Sequence, residues 1–191
     1  VLGDAPAALP GFSGKLIGYE DLIDGVSPFE DWPDLDENSA AVMCYTSGTT
    51  GNPKGVVYSH RSIFLHSLAS LGADAFAISN RDTLLMVPPM FHANAWAITY
   101  AVPAAGASMI MPGAGMDGKS IYELLDSEKV TASAAVPTVW LGLLQYLADN
   151  NLKLPYLDKV LIGGAACPRM MIETLENDYD VEVIHGWGMT E

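Results

Sequence analysis

From Thr83 to Met116 the chain carries no Asp, Glu, Lys or Arg. A segment without charge on any side does not suit a solvated surface and has to be enclosed, by protein or by lipid. Lipid is the poorer choice. Pro88, Pro89, Pro103 and Pro112, with Gly106, interrupt every window. No clean apolar run of the length needed to span a membrane is left. The stretch therefore reads as core. It predicts a strand over 83–87, a Pro-Pro loop, a buried helix over about 95–105 and a strand over 108–111.

The rest of the composition agrees with an enclosed core. The chain has 191 residues, 50% hydrophobic and 17% charged. Such a composition excludes disorder. The length supports a real core, in one domain or two small ones. The net charge of −14 argues against a nucleic-acid surface and against an anionic membrane surface, since both need clustered Lys and Arg. An anion can still be held locally by backbone N–H groups. The cysteines, Cys44 and Cys167, lie in apolar runs outside any CxxC or Cys/His cluster. No zinc site or disulfide framework is suggested, and a cytoplasmic protein is expected. No basic segment at Val1 marks a signal peptide. The chain starts without Met and stops at Glu191 directly after a Gly- and aromatic-rich run, and is read as a piece of something longer.

Residues 1–38 hold nine Asp and Glu against one Lys15, with frequent Gly and Pro. They read as an acidic connecting segment. Residues 21–23 suit one short helical turn. From residue 39 onward strand and helix alternate. Strands are predicted at 40–45, 56–58, 131–135, 160–162 and 181–184. A helix is predicted from Ser59 as N-cap to near Gly72, with Ile63, Phe64, Leu68 and Leu71 as its apolar stripe. Three more follow at 119–129, from Pro137 to about 150 and from Pro168 to about 177. This alternation argues for an α/β fold built on a parallel, doubly wound sheet with flanking helices. Such sheets bind ligands at the carboxyl ends of their strands. Three Gly-rich segments, 46–55, 163–166 and 185–188, sit at such ends.

The first of them is Thr46-Ser47-Gly48-Thr49-Thr50-Gly51-Asn52-Pro53-Lys54-Gly55. Gly48 and Gly51 let successive N–H groups converge on an anion. Four hydroxyls and Lys54 add donors and charge, as a polyphosphate cradle requires. It is not a Walker A loop, which needs Gly before the Lys and Ser or Thr after it. It also lies between two strands. The residues alone leave a solvent-facing hairpin turn equally open.

The run Tyr45–Gly55 resembles the signature loop of the adenylate-forming superfamily, which includes acyl-CoA synthetases, luciferases and the adenylation domains of peptide synthetases. Val87-Pro88-Pro89-Met90-Phe91-His92-Ala93-Asn94-Ala95-Trp96 resembles its second motif. Gly163-Gly164-Ala165 resembles the third, and Gly186-Trp187-Gly188-Met189-Thr190-Glu191 the fourth. The branch most similar is that of medium- and long-chain fatty-acid–CoA ligases. Residues 39–191 would then be the central part of the AMP-binding domain, within the large N-terminal domain. The resemblance implies ATP, Mg²⁺ and coenzyme A as cofactors or co-substrates. It implies that Thr46, Ser47, Gly48, Thr49, Thr50 and Gly51 hold the β- and γ-phosphates, with Lys54 nearby. Thr190 would bond the α-phosphate and Glu191 would ligate Mg²⁺. Gly163, Gly164 and Ala165 would line one face of adenine. Trp187 would stack on the other, within the segment His185-Gly186-Trp187-Gly188-Met189. His92 would sit beside the acyl carboxylate, and Trp96 matches a residue that gates the fatty-acid tunnel. His60 and His66 read as helix-surface residues without a role. The family includes monomers and dimers, so a homodimer is compatible with it.

A peptide-synthetase domain needs a carboxylate for its substrate's ammonium, usually Asp after Phe in the second motif. Here His92 follows Phe91. An amino-acid substrate would leave its ammonium unpaired. The apolar wall of Met90, Phe91, Ala93, Trp96, Val136 and Trp140 suits an alkyl chain instead. Ala165 stands where Ser is common in these ligases. A downstream Gly-Asp motif and a C-terminal domain with its lysine are not found, so the isolated chain is expected to be inactive. Three alternatives remain: a ligase for a methylthioalkanoate or aryl acid, a non-catalytic nucleotide-binding module, and a P-loop phosphotransferase. Pro53 and Gly55 argue against the last.

Overall fold

The structure, a computed structural model, describes residues 10–46 and 51–191. Contacts divide the chain into two units, Val1–Leu35 and Asp36–Glu191. Among the described residues of the first unit the regular element is α1 (Tyr19–Ile23), which buries no residue. Phe29 and Trp32 meet edge to face in the same unit, with centroids 5.2 Å apart.

The second unit opens with an antiparallel hairpin, β1 (Ala40–Tyr45) and β2 (Gly55–Ser59). Alternating strands and helices suggest parallel pairing throughout. The connection over residues 46–54 is too short for that, because a parallel crossover needs a dozen residues or more. Helix α2 (His60–Ser70) follows at once, with Ser59 Oγ accepting from the Ser62 N–H at 3.1 Å as N-cap.

Five parallel strands make the main sheet: β3 (Thr83–Met86), β4 (Ser108–Ile110), β5 (Ala132–Ala135), β6 (Lys159–Ile162) and β7 (Glu182–His185). Their spatial order is β4-β3-β5-β6-β7. The chain steps one way from β3 to β4 and then back across β3 to β5, β6 and β7. With right-handed crossovers this reversal sends the connecting helices to opposite faces. The side chains sort accordingly. Leu85, Val87, Val160 and Ile162 pack with α5 (Gly118–Ser127), α6 (Pro137–Asn150) and α7 (Arg169–Tyr179). Leu84, Met86, Ala132 and Ala134 pack with α4 (Ile98–Ala105) on the other face. Alternate residues of one strand thus serve two cores, so the strands carry no polar face. Trp140 is fully buried in the first core and donates from Nε1 to the Ala135 carbonyl at 3.3 Å.

Two expectations are corrected. The helix expected over 95–105 is right-handed only from Ile98. Residues 93–97 form a left-handed turn, α3 (Ala93–Trp96) and its end, with φ of 44°, 53°, 53°, 57° and 64°. The Ala97 N–H donates to the Ala93 carbonyl at 3.2 Å, and Thr99 Oγ1 donates to the Asn94 carbonyl at 2.9 Å. A left-handed turn of L-residues costs roughly 1–2 kcal/mol per residue, so tertiary packing has to impose it. Periodicity of apolar residues is blind to hand. The second correction concerns α2. Its spacing marks Phe64 and Leu68 as buried, yet they are 62% and 48% exposed, while Ile63 and Leu71 are half-buried.

The amino ends of the sheet are fixed by a polar knot. Asp82 accepts from the Ser79 N–H at 2.7 Å, from Ser79 Oγ at 3.0 Å and from Thr131 Oγ1 at 2.8 Å. Lys159 Nζ lies 4.0 Å from it, and both side chains are largely buried. Burial alone pushes the Asp82 carboxyl up. The hydrogen bonds from Ser79 and Thr131, with the Lys159 charge, outweigh it and hold the group below its ordinary value. Its stabilising contribution is therefore full above about pH 4 and fades as the pH falls through the lowered value.

Asp82→Ala is expected to cost about 2–3 kcal/mol near neutral pH, because three donors lose their acceptor and the largely buried Lys159 loses its counter-charge. In acid titrations of denaturant unfolding, the gap to wild type should narrow below about pH 4. Ala93→Gly should stabilise by roughly 1 kcal/mol, the opposite of its effect in a right-handed helix. Denaturant midpoints decide that sign.

Candidate active site

The loops after β3, β6 and β7 leave the sheet at its carboxyl end, beside the switch in winding direction. Open α/β sheets bind ligands at such a place. The loops enclose two cavities with α2. The larger, about 400 Å³, is lined near its mouth by His92, Trp96, Gly163, Gly164, Gly186 and Trp187. Further in it meets Leu161, Ile184 and Phe76. The smaller, about 270 Å³, is more polar and includes Tyr58, Ser62, Asn94, Thr190 and Glu191. His66, Ala93 and Met189 border both.

Glycine at the strand ends is a steric demand. A Cβ on Gly163 would stand 3.2 Å from the Gly186 carbonyl oxygen and 3.3 Å from the Trp96 ring. Gly164 has φ +76°, and a Cβ there would stand 3.0 Å from Val136. Backbone of β6 and β7 and the indole of Trp96 thus come as close as bare peptide allows. The strained turn is what brings Trp96 there. Trp187, by contrast, is 87% exposed at the mouth, held between Gly186 and Gly188.

The hairpin is tied to this end. The Tyr58 hydroxyl of β2 donates to the Thr190 carbonyl. Burial pushes the Tyr58 hydroxyl above its ordinary value, with Cys44 and Glu191 adding to it. The proton therefore stays available for that bond. Thr46 and Lys54 close the neck of the 46–54 loop. The Thr46 N–H donates to the Lys54 carbonyl at 2.9 Å, and the Lys54 N–H donates to Thr46 Oγ1 at 3.2 Å.

The expected site residues divide as follows. His92, Trp96, Gly163, Gly164, Gly186, Trp187, Gly188 and Met189 come together around the larger cavity. Thr190, which is buried, and Glu191 reach the smaller one. Thr46, Gly51, Lys54, Ala165 and His185 line neither cavity. The apolar wall is also corrected in part. Met90 and Phe91 are exposed, and Trp140 belongs to the core on the other face of the sheet. Ser47, Gly48, Thr49 and Thr50 lie outside the described residues. Among the described residues no group of three His, Cys, Asp or Glu gathers to cage a metal. A lone carboxylate such as Glu191 still fits Mg²⁺, which takes most of its ligands from water and phosphate.

The sequence assigns His66 no role. Ser62, His66 and Ser70 recur every four residues on α2 and so share one face. That face looks into the cavities, with Ser62 on the smaller, Ser70 on the larger and His66 on both. The polar stripe is the available signal.

A family model described as AMP-binding enzyme matches residues 13–191. The chain belongs to the AMP-binding enzyme family. It is 50% identical over 188 residues to the medium-chain-fatty-acid–CoA ligase of Ectopseudomonas oleovorans, covering 98% of this chain and 34% of that protein. It is 47% identical over 189 residues to a 3-methylmercaptopropionyl-CoA ligase of Ruegeria lacuscaerulensis, again covering 98% and 34%. Among solved structures, the N-terminal domain of FACL13 from Mycobacterium tuberculosis matches with TM-score 0.80 and 28% identity, over 92% of this chain and 44% of that one. The chain therefore spans about a third of the length of these curated relatives.

Gly163→Val is expected to destabilise by about 1–3 kcal/mol through overpacking against Gly186 and Trp96, measured by denaturant unfolding. A neutral result would contradict the close approach.

Proposed function

We propose that the chain is the central part of an ATP-dependent acid–thiol ligase that adenylates a fatty acid and passes the acyl group to coenzyme A. The observation that carries this reading is the junction of an apolar cavity bordered by His92 with the glycine strand ends and Thr190-Glu191. Two cavities that share a border suit an acid beside a nucleotide, in a chain half identical to a fatty-acid ligase. The described lining of the larger cavity holds no Asp or Glu. Such a lining suits an alkyl chain and leaves a substrate ammonium unpaired.

In this reading the acid's carboxylate attacks the α-phosphorus of ATP and pyrophosphate leaves. The thiol of coenzyme A then attacks the acyl carbon and AMP leaves. The protein's part is positioning and charge stabilisation. Residues 46–51 and Lys54 cradle the outer phosphates. Thr190 donates to the α-phosphate. Gly163, Gly164 and Ala165 face adenine, with the 185–189 segment and Trp187 opposite. His92 holds the carboxylate beside Trp96. Mg²⁺, held by Glu191, supplies neutralisation of phosphate charge. A second reading, a short sulfur-containing acid, is favoured by the 47% identity to the Ruegeria ligase. Among the described residues no helix is long and apolar enough to cross a membrane. The free cysteines and the charge of −14 support a cytoplasmic protein that does not bind nucleic acid.

Carboxylate-dependent ATP–pyrophosphate exchange by the full-length protein tests the reading. A panel from acetate to long-chain acids, with methylthiopropionate, an aryl acid and an amino acid, should peak on a fatty acid. Thr190→Ala should lower exchange on the order of 10²-fold. The 191-residue chain alone should form no acyl-CoA. ATP binding without exchange on any acid would instead favour a non-catalytic nucleotide-binding module.

A further inference from the structure

The larger cavity does not stop at the carboxyl ends of the strands. It runs down the α4 face of the sheet, past Leu161 and Ile184, to Phe76. Lys159, Leu161 and Gly163 follow one another at every second position of β6 and its end. They therefore share that face. At about 3.3 Å per residue, Lys159 lies about 13 Å below Gly163. The Phe76 ring closes this depth. It is 5% exposed, packs among the α4-side core and lies with its centroid 5.9 Å from Lys159 Nζ.

The floor is rigid. Lys159 Nζ donates to the Ala77 carbonyl at 2.7 Å, and the Ala77 N–H donates to the Gly72 carbonyl at 3.2 Å. Ala77 is held at φ 48°. An alanine keeps that conformation only under such constraint. Beneath the ring stand Lys159 and Asp82 with the Ser79 and Thr131 hydroxyls. A longer hydrocarbon would have to pass the ring and then meet a paired, largely desolvated charge.

We propose that Phe76 is the stop that limits acyl length, with Lys159 as the residue that positions it, so the substrate is a medium-length rather than a long straight-chain acid. This rests on the ligase reading and on the larger cavity being the acid's pocket.

The test uses the full-length protein and kcat/KM for butyrate, hexanoate, octanoate, decanoate and palmitate. Wild type should peak at intermediate length and fall by about tenfold or more at palmitate, as pocket discrimination on methylenes allows. Phe76→Ala should raise the palmitate-to-octanoate ratio by about tenfold. Ala75→Leu, which fills the same end of the cavity without emptying the core, should lower the decanoate-to-butyrate ratio. Should Phe76→Ala fail to fold, Ala75→Leu decides. Equal use of palmitate and octanoate by wild type would overturn the proposal, as would an unshifted profile in the folded variants. A wild-type protein inert with every acid would overturn the ligase reading and this proposal with it, whereas activity with an unmoved profile sinks the proposal alone.

Discussion

A parallel sheet without a polar face has to be covered on both sides. In this chain that constraint is met by unequal shares: three helices on one face, and α4 with the loop carrying Phe76 on the other. The unequal cover follows from the single reversal of winding at β3. The thinly covered side is where the larger cavity opens, between α2 and the outer strands β6 and β7. The site is thus a consequence of how the core is closed.

Backbone conformation does the remaining placement. The left-handed turn over residues 93–97 swings Trp96 onto the glycine ends of β6, and Gly163 and Gly164 are bare because Trp96, Val136 and Gly186 leave no space for a Cβ. The Tyr58–Thr190 hydrogen bond joins the hairpin to the last loop although the two are distant in sequence. At the other end of the sheet, Asp82 and Lys159 fix the strand starts and the turn bearing Phe76. Backbone strain thus sits at one end of the sheet and a satisfied buried charge at the other.

Much of this is legible in the residues. Short apolar runs without charge mark the strands, and Ser59 and Pro137 mark helix starts correctly. The glycine runs mark the carboxyl ends of β6 and β7. What stays hidden has physical reasons. Hydrophobic spacing cannot distinguish a left-handed turn from the start of a right-handed helix, so the segment leading into α4 reads as helix about three residues too early. Alternation of elements does not report the direction of a short connection, so the antiparallel pairing of β1 with β2 is legible only through the turn residues of 46–55. The polar face of α2 looks solvated because Ser62, His66 and Ser70 are ordinary surface residues unless a cavity lies opposite. The depth of the pocket depends on Phe76 and Lys159, which lie far apart in the chain and carry no motif.

In the proposed function a nucleotide lies across the glycine ends of β6 and β7. Amide hydrogen exchange of the full-length protein, with and without ATP, tests it most directly. Bound ATP should protect residues 163–166 and 186–191 and the 46–54 loop, with β4 and α6 unchanged. ATP binding that leaves those segments unprotected, or protects a different face of the sheet, would contradict it.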